Sequence, residues 1–293
     1  MRVTGSVLLQ LLISSLSVGS IYAIVALALV IPFKASGILN FGQGEIVTVG
    51  AYTALVLVGF GVSYWLVLPL TVLVGWLAGM AIERSLIRPI MAAPEFTIVI
   101  ATFAIGLILK SAIRLYWQDN PFALETPLNT EPLHFAGVVL NPLYLWVVFC
   151  TLVLIAFLAY FFKHNRLGKS MRAVSQSHDA SRLMGIGVER VLMISWGMSA
   201  AIGALGGILL APIVGINPEM GHLVLKALVA AVIGGFSSLP GAFVGGILLG
   251  LVETYSGAFF GSTLKNIIPF VLLVIFLLIR PYGLFGKPPV VRI

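Results

Sequence analysis

The sequence predicts an all-α polytopic membrane protein with about eight or nine transmembrane segments. Composition carries much of that prediction. Of the 293 residues, 60% are hydrophobic and only 9% are Asp, Glu, Lys or Arg, and the mean hydropathy is +1.11. An ordinary globular domain is about 45–50% apolar and about 25% charged, and a soluble surface needs more charge than this chain holds. Pattern carries the rest: the apolar runs are continuous, unlike the alternation of a transmembrane β-barrel. A soluble enzyme, a disordered chain and a nucleic-acid-binding domain are therefore excluded, even though Lys and Arg number 17 against 10 Asp and Glu. The single cysteine, Cys150, lies inside an apolar run, so neither a disulfide framework nor a cysteine-based metal site can form.

A spanning helix needs about 20 apolar residues. In chain order the segments are Val7–Phe33, Glu45–Phe60, Trp65–Ile82, Thr97–Trp117, Pro142–Phe162, Val191–Val214, Leu223–Phe236, Ala242–Phe260 and Ile267–Ile279. The first begins like a signal peptide, with Arg2 and small residues at Ala26 and Ala28. Its apolar run outlasts the usual core of about 7–15 residues, so it reads as an uncleaved span. Leu223–Phe236 supplies only about 21 Å of helix against a hydrocarbon core of about 30 Å, and reads as a half-span or re-entrant segment.

The cations orient the chain. Lys163, Arg166, Lys169, Arg172, Arg182 and Arg190 make six of the 17 Lys and Arg, whereas 115–162 has none and carries Asp119, Glu125 and Glu131. The positive-inside rule places 163–190 in the cytoplasm and 118–141 outside. Glu83–Glu95, with Arg84 and Arg88, and the tail with Lys287 and Arg292 then fall on the cytoplasmic side. Ending inside requires an even number of crossings after Arg190, which favours two segments around Gly234–Gly241 over one bent span. The side of the N-terminus stays open, because a re-entrant segment near Gly37–Gly44 would reverse it.

Two places combine glycine with polar residues inside the apolar body: Gly37–Glu45 and Gly234–Gly241. Non-helical backbone at membrane depth is tolerated only where protein buries it or where it lines a watery cavity. Interrupted segments in corresponding parts of two halves point to a transport site; ordinary turns at the membrane surface are the other reading. The placement suggests an inverted repeat, although no sequence identity links the halves. Gly75/Gly79, Gly203/Gly207, Gly241/Gly245 and Gly246/Gly250 fit close helix packing in lipid. Ionisable residues in apolar segments are functional candidates: Glu45, Lys226 and Glu253, with His222 nearby. Glu45 either caps a helix start or faces a permeation path, and Glu253 reads as a helix-end or interfacial anchor. The four histidines and few acids are too scattered for a proton relay or metal site.

Gly168-Lys169-Ser170 resembles the end of a phosphate-binding loop. That motif needs glycine where Lys163 stands, so the chain has no ATP site of this kind. Gly168–Leu183 instead reads as one amphipathic helix of about 16 residues, ended by Gly185 and Gly187. It suits either docking to a cytoplasmic partner or lying at anionic headgroups.

These residues resemble a known family. Gly37-Ile-Leu-Asn40-Phe41-Gly-Gln43-Gly44-Glu45 looks like the G-x-x-N-F-[AG]-x-G-E box of branched-chain amino acid ABC-importer permeases, the LivH/LivM type. Ile82-Glu83-Arg84…Arg88-Pro89, Ile216-Asn217-Pro218, Lys226-Ala227-Leu228, Gly234–Ala242 and the ending Arg280–Gly286 also match, in order over nearly the whole chain. Arg172-Ala173 and Leu183–Ile186 are similar to its coupling loop, with the E-A-A signature reduced to Arg172-Ala173-Val174.

The resemblance implies one transmembrane permease domain over 1–293, with a cytoplasmic coupling loop at 163–190 and the broken helices of a type II-like importer. It implies a multi-pass subunit of the bacterial inner membrane that binds no cofactor and is not itself an enzyme. Two separate ATP-binding subunits would drive it, beside a homologous LivM-like permease and an extracytoplasmic substrate-binding protein. By alternating access it would move branched-chain or related neutral amino acids. The pathway candidates are Asn40, Phe41, Gln43, Gly44, Glu45, Gly234, Gly235, Ser237 and Ser238. The coupling candidates are Gly168, Arg172, Ala173, Asp179, Arg182, Leu183 and Gly185. A urea, amide or aromatic-acid importer permease, or a stand-alone secondary transporter, is the alternative.

Overall fold

The computed structural model describes residues 5–128, 132–135 and 138–286. All nine apolar segments are helical. The helices are α1 (Gly5–Ser36), α2 (Gln43–Gly59), α3 (Tyr64–Ile82), α4 (Glu95–Trp117), α5 (Pro142–His164), α6 (Arg166–Val174), α7 (His178–Leu183), α8 (Val188–Val214), α9 (Leu223–Gly234), α10 (Leu239–Phe260) and α11 (Ser262–Ile279). Among the described residues seven helices are long and apolar enough to cross a membrane, and the two shorter apolar ones are Gln43–Gly59 and Met220–Gly234. Strands β1 (Leu133–Phe135) and β2 (Val138–Leu140) pair antiparallel, with Leu133 opposite Leu140. Arg2, from the signal-peptide comparison, and Glu131, Lys287 and Arg292, from the charge argument, lie outside the described residues.

The chain packs as two compact units. One comprises Met1–Val30, Pro127–Leu152 and Leu225–Ile293; the other comprises Ile31–Thr126 and Val153–Val224. In the second unit α8 is central. Its most apolar window is 78% buried, and it packs against α2 and α3. The predicted small-residue pairs make these contacts. Gly75 and Gly79 of α3 face Ala204 and Ala200 of α8, while Gly203 and Gly207 of α8 face Gln43 and Val47 of α2. Lipid tails are as apolar as leucine, so helices gain little by simple burial and associate through close backbone approach and dispersion. A Cβ at Gly207 would overlap the Val47 carbonyl oxygen.

In the first unit α10 carries two such faces. Gly241 and Gly245 meet Gly234 and Ala230 of α9, and Gly246 and Gly250 meet Ala23 and Gly19 of α1. The outer helices show the complementary trait. In α11 only 6% of the apolar window is buried, and Leu66, Leu77, Phe96, Phe103, Ile108 and Phe157 are all exposed. A water-soluble protein rarely carries apolar patches of this extent; lipid is the solvent that suits them.

Gly207→Leu is expected to lower stability by about 1–3 kcal/mol or more through overpacking. Gly59→Ala, with open space around it, should be nearly neutral. Thermal unfolding in detergent distinguishes the two.

Candidate functional site

The first break leaves α1 at Gly37 (φ +75°) and runs irregularly to α2. Asn40 is 3% exposed and Gln43 fully buried. Gln43 links the break to the central helix. Its Oε1 accepts from Asn40 Nδ2 at 3.2 Å and from Ser199 Oγ at 2.9 Å, while its Nε2 donates to the Ser199 carbonyl at 3.1 Å. Gly203 leaves room for that amide, since a Cβ there would collide with Gln43 Nε2. Phe41 N donates to Thr102 Oγ1 of α4 at 3.1 Å, and that hydroxyl donates to Val99 O at 2.7 Å. Protein groups thus meet part of the hydrogen-bonding need of the irregular backbone, as low-dielectric surroundings require.

Gly44 and Glu45 lie in the first turn of α2. The helix start has Gly42 at its N-cap position and no side-chain cap, so the capping role considered for Glu45 is not adopted. Its negative charge still suits a helix N-terminus. Instead the carboxylate lies against Gly221, where any Cβ would collide with it. Glu45 Oε2 is buried with no hydrogen-bond partner.

A charged cluster stands in the same unit. Glu219 accepts from Lys110 Nζ at 2.8 Å and Arg114 Nη2 at 2.6 Å, and contacts His222 Nε2. Arg114 Nε also donates to Asp119 at 2.8 Å. The Lys110 hydrogen bond, then that of His222, holds the Glu219 carboxyl below the usual range against a partial desolvation penalty.

The second break, in the other unit, is sealed by the chain's own C-terminal segment. A helix ends with unsatisfied carbonyls. Here Leu284 N donates to Ile233 O at 2.8 Å and Phe285 N to Gly234 O at 3.1 Å. Gly235 (φ +99°) and Gly283 (φ +75°) need the left-handed conformation that glycine tolerates. They also approach each other too closely for a side chain on Gly283. Gly234 and Gly235 are buried and Ser237 is exposed. Ser238 caps α10, its Oγ accepting from Gly241 N at 3.1 Å.

Two sequence expectations change. Glu253 is not a helix-end anchor: it is 1% exposed and accepts from Lys226 Nζ at 2.7 Å and from the Tyr22 hydroxyl at 2.5 Å. A charge this deep needs a partner, and α9 supplies it. The loop after α5 is two helices rather than one. Ser177 interrupts it, its Oγ accepting from Ala180 N at 3.2 Å to start α7. Serine competes for backbone hydrogen bonds in this way and favours caps over helix interiors. Gly185 (φ +76°) ends α7 as expected, whereas Gly187 is the N-cap position of α8.

Within that loop Gly168 is buried against the Phe161 and Phe162 backbone, and Met171 and Val174 are buried. Arg172, Asp179, Arg182 and Gly185 are exposed and Ala173 half-buried. Leu183 and Met184 are 89% and 81% exposed. Arg182 pairs with Glu189 at 2.9 Å. The buried Glu83 pairs two-pronged with Arg88, at 3.2 and 2.8 Å, and Arg88 also donates to the Glu189 carbonyl at 3.3 Å.

Sequence reasoning missed Ser199, Thr102, Gly221 and the Glu219 cluster. Helix periodicity gave no signal for which polar residue 156 positions away would meet Gln43. Among the described residues no three His, Cys, Asp or Glu side chains gather as a metal-holding group.

Gln43→Leu removes the three hydrogen bonds that this amide makes with Asn40, the Ser199 hydroxyl and the Ser199 carbonyl, and should cost about 2–3 kcal/mol or more. Ser199→Ala should cost about 1 kcal/mol. Paired thermal unfolding measures both.

Comparison with known proteins agrees with this architecture. Residues 11–277 match the family described as branched-chain amino acid transport system / permease component. The permease protein BraD of the high-affinity branched-chain amino acid transport system of Pseudomonas aeruginosa is 31% identical, over 97% of this chain and 98% of its own. Its counterpart LivH of Salmonella typhimurium is 29% identical over 97% of both chains. The solved PsaBC from Streptococcus pneumoniae, in complex with Fab, shares the fold with a TM-score of 0.50 at 15% identity, over 92% of this chain and 91% of its own. A match over most of the chain, in sequence and in helix architecture, makes this protein a multi-pass membrane protein of the branched-chain amino acid transport permease family.

Proposed function

We propose that the chain is the translocating subunit of an ABC importer for branched-chain or related neutral amino acids in the bacterial inner membrane. The observation that carries this reading is the first break: a buried Asn40–Gln43–Ser199 network beside an intramembrane carboxylate, Glu45, with one oxygen unpartnered. A polar, non-helical segment held inside an apolar bundle is what a transport path requires. Amino acids are zwitterions. Glu45 suits the ammonium, and the amide groups at the start of α2 suit the carboxylate as it passes. Phe41 and Gly44 complete the proposed path in this unit; Gly234, Gly235, Ser237 and Ser238 are proposed as pathway residues of the other unit, taken by itself. The Gln43 network holds it closed until the helices shift by alternating access.

The motor lies elsewhere in this reading. The chain binds neither ATP nor a cofactor and catalyses nothing. Two cytoplasmic ATP-binding subunits supply the drive, a LivM-like permease completes the pore, and an extracytoplasmic binding protein delivers the substrate. The C-terminus is cytoplasmic, on the same side as 163–190. Leu183 and Met184, exposed beside Gly185, support docking at this loop. Apolar side chains at the centre of a contact commonly dominate its energy. Gly168, Arg172, Ala173 and Asp179 shape the rest of that surface, and Arg182 fixes its end through Glu189.

The tests follow from these two sites. In the assembled importer, Glu45→Gln should lower amino acid uptake about tenfold or more while membrane assembly stays intact. Normal uptake would reduce Glu45 to a charge at a helix start. Leu183→Asp with Met184→Asp should abolish co-purification of an ATP-binding subunit with the tagged chain; undiminished co-purification would move the docking surface elsewhere.

A further inference from the structure

Helices α9 and α10 zip together antiparallel, Gly234 meeting Gly241 and Ala230 meeting Gly245. These contacts are backbone against backbone. They hold the helices close through small residues and carry no charge. A helix of 12 residues is only about 18 Å long and cannot be located by spanning the bilayer. The hydrogen bonds from Leu284 and Phe285 hold its break end, and its other end needs an anchor of its own.

One polar group of contacts lies at the far end of this seam, away from the break. Lys226 of α9 donates to Glu253 Oε1 of α10 at 2.7 Å and to Asn266 Oδ1 of α11 at 3.2 Å, and the Tyr22 hydroxyl of α1 donates to Glu253 Oε2 at 2.5 Å. The side chains of Lys226 and Glu253 are 21% and 2% exposed. Each charge alone would be severely uncompensated in an apolar bundle, whereas the pair together is tolerated. A shift of α9 by one turn, about 5.4 Å, would separate them. Buried polar pairs in other helical assemblies select one register at a cost in stability.

We propose that Lys226 and Glu253 are a positioning pair that pins the register of α9 on α10, and so fixes the depth of the Gly234–Ser238 break. Tyr22 and Asn266 orient the pair and tie it to α1 and α11. The pair does not touch substrate. Its effect on transport rests on the importer reading above, but its effect on helix register does not.

The test uses the assembled importer. K226M/E253Q removes both charges together and leaves no lone buried ion. This variant should reach the membrane at wild-type levels, with α9 amides exchanging hydrogen about tenfold faster. Maximal leucine uptake should fall about tenfold while half-saturating leucine is unchanged. The reversed pair K226E/E253K keeps an ion pair and should restore both readouts. Wild-type exchange and uptake in the neutral variant overturns the proposal. So does a reversed variant that regains slow exchange without regaining uptake, since the charges would then be read individually by substrate. If the reversed pair fails to assemble, the neutral variant decides alone. Absence of leucine uptake in the wild type would count against the importer reading, and amide exchange would still judge the pin.

Discussion

Close backbone contact between helices is the constraint on which this structure depends. In lipid the usual gain from burying apolar side chains is largely absent, so helices are held by proximity, and proximity requires positions without a side chain. Gly207 against Val47, Gly79 against Ala200, Gly245 against Ala230 and Gly250 against Gly19 are such positions. They allow a bundle tight enough to enclose irregular backbone. Irregular backbone at membrane depth needs such enclosure, because its amides and carbonyls would otherwise face hydrocarbon unsatisfied.

The two breaks are closed by different means. Gln43 closes the first with side-chain hydrogen bonds to Asn40 and Ser199. The C-terminal segment closes the second by donating two backbone N–H groups to the last carbonyls of α9. Side-chain bonds can exchange partners when helices move, and this suits a segment proposed to meet substrate. Backbone bonds have no side-chain rotamer to exchange, and the close Gly235–Gly283 approach admits no side chain, so Arg280–Gly286 acts as a structural part of its unit rather than a loose end.

Much of the fold was legible in the sequence, for identifiable reasons. The nine apolar runs, the half-length of the α9 segment and all four small-residue pairs follow from composition and spacing, which local physics governs. Both breaks were legible because polar residues and glycines within apolar runs have few other uses. What could not be read was pairing across long separations. Nothing local distinguishes Ser199 from Ser195, the other serine of α8, and Glu253 looked interfacial because Lys226 and Tyr22 are 27 and 231 positions away. The division of 166–183 into two helices turned on one serine hydroxyl, a margin too small for an amphipathic pattern to show. The pathway and docking roles of the named residues rest on family resemblance and geometry together.

On this account the chain provides a passage and a docking surface but no drive of its own. The most direct measurement is substrate flux in liposomes containing the purified chain alone, compared with liposomes holding it with its partner permease, ATP-binding subunits, binding protein and ATP. The account predicts leucine accumulation only in the complete, ATP-supplied assembly. Sustained leucine flux through the chain by itself would contradict it and mark the protein as a self-sufficient transporter.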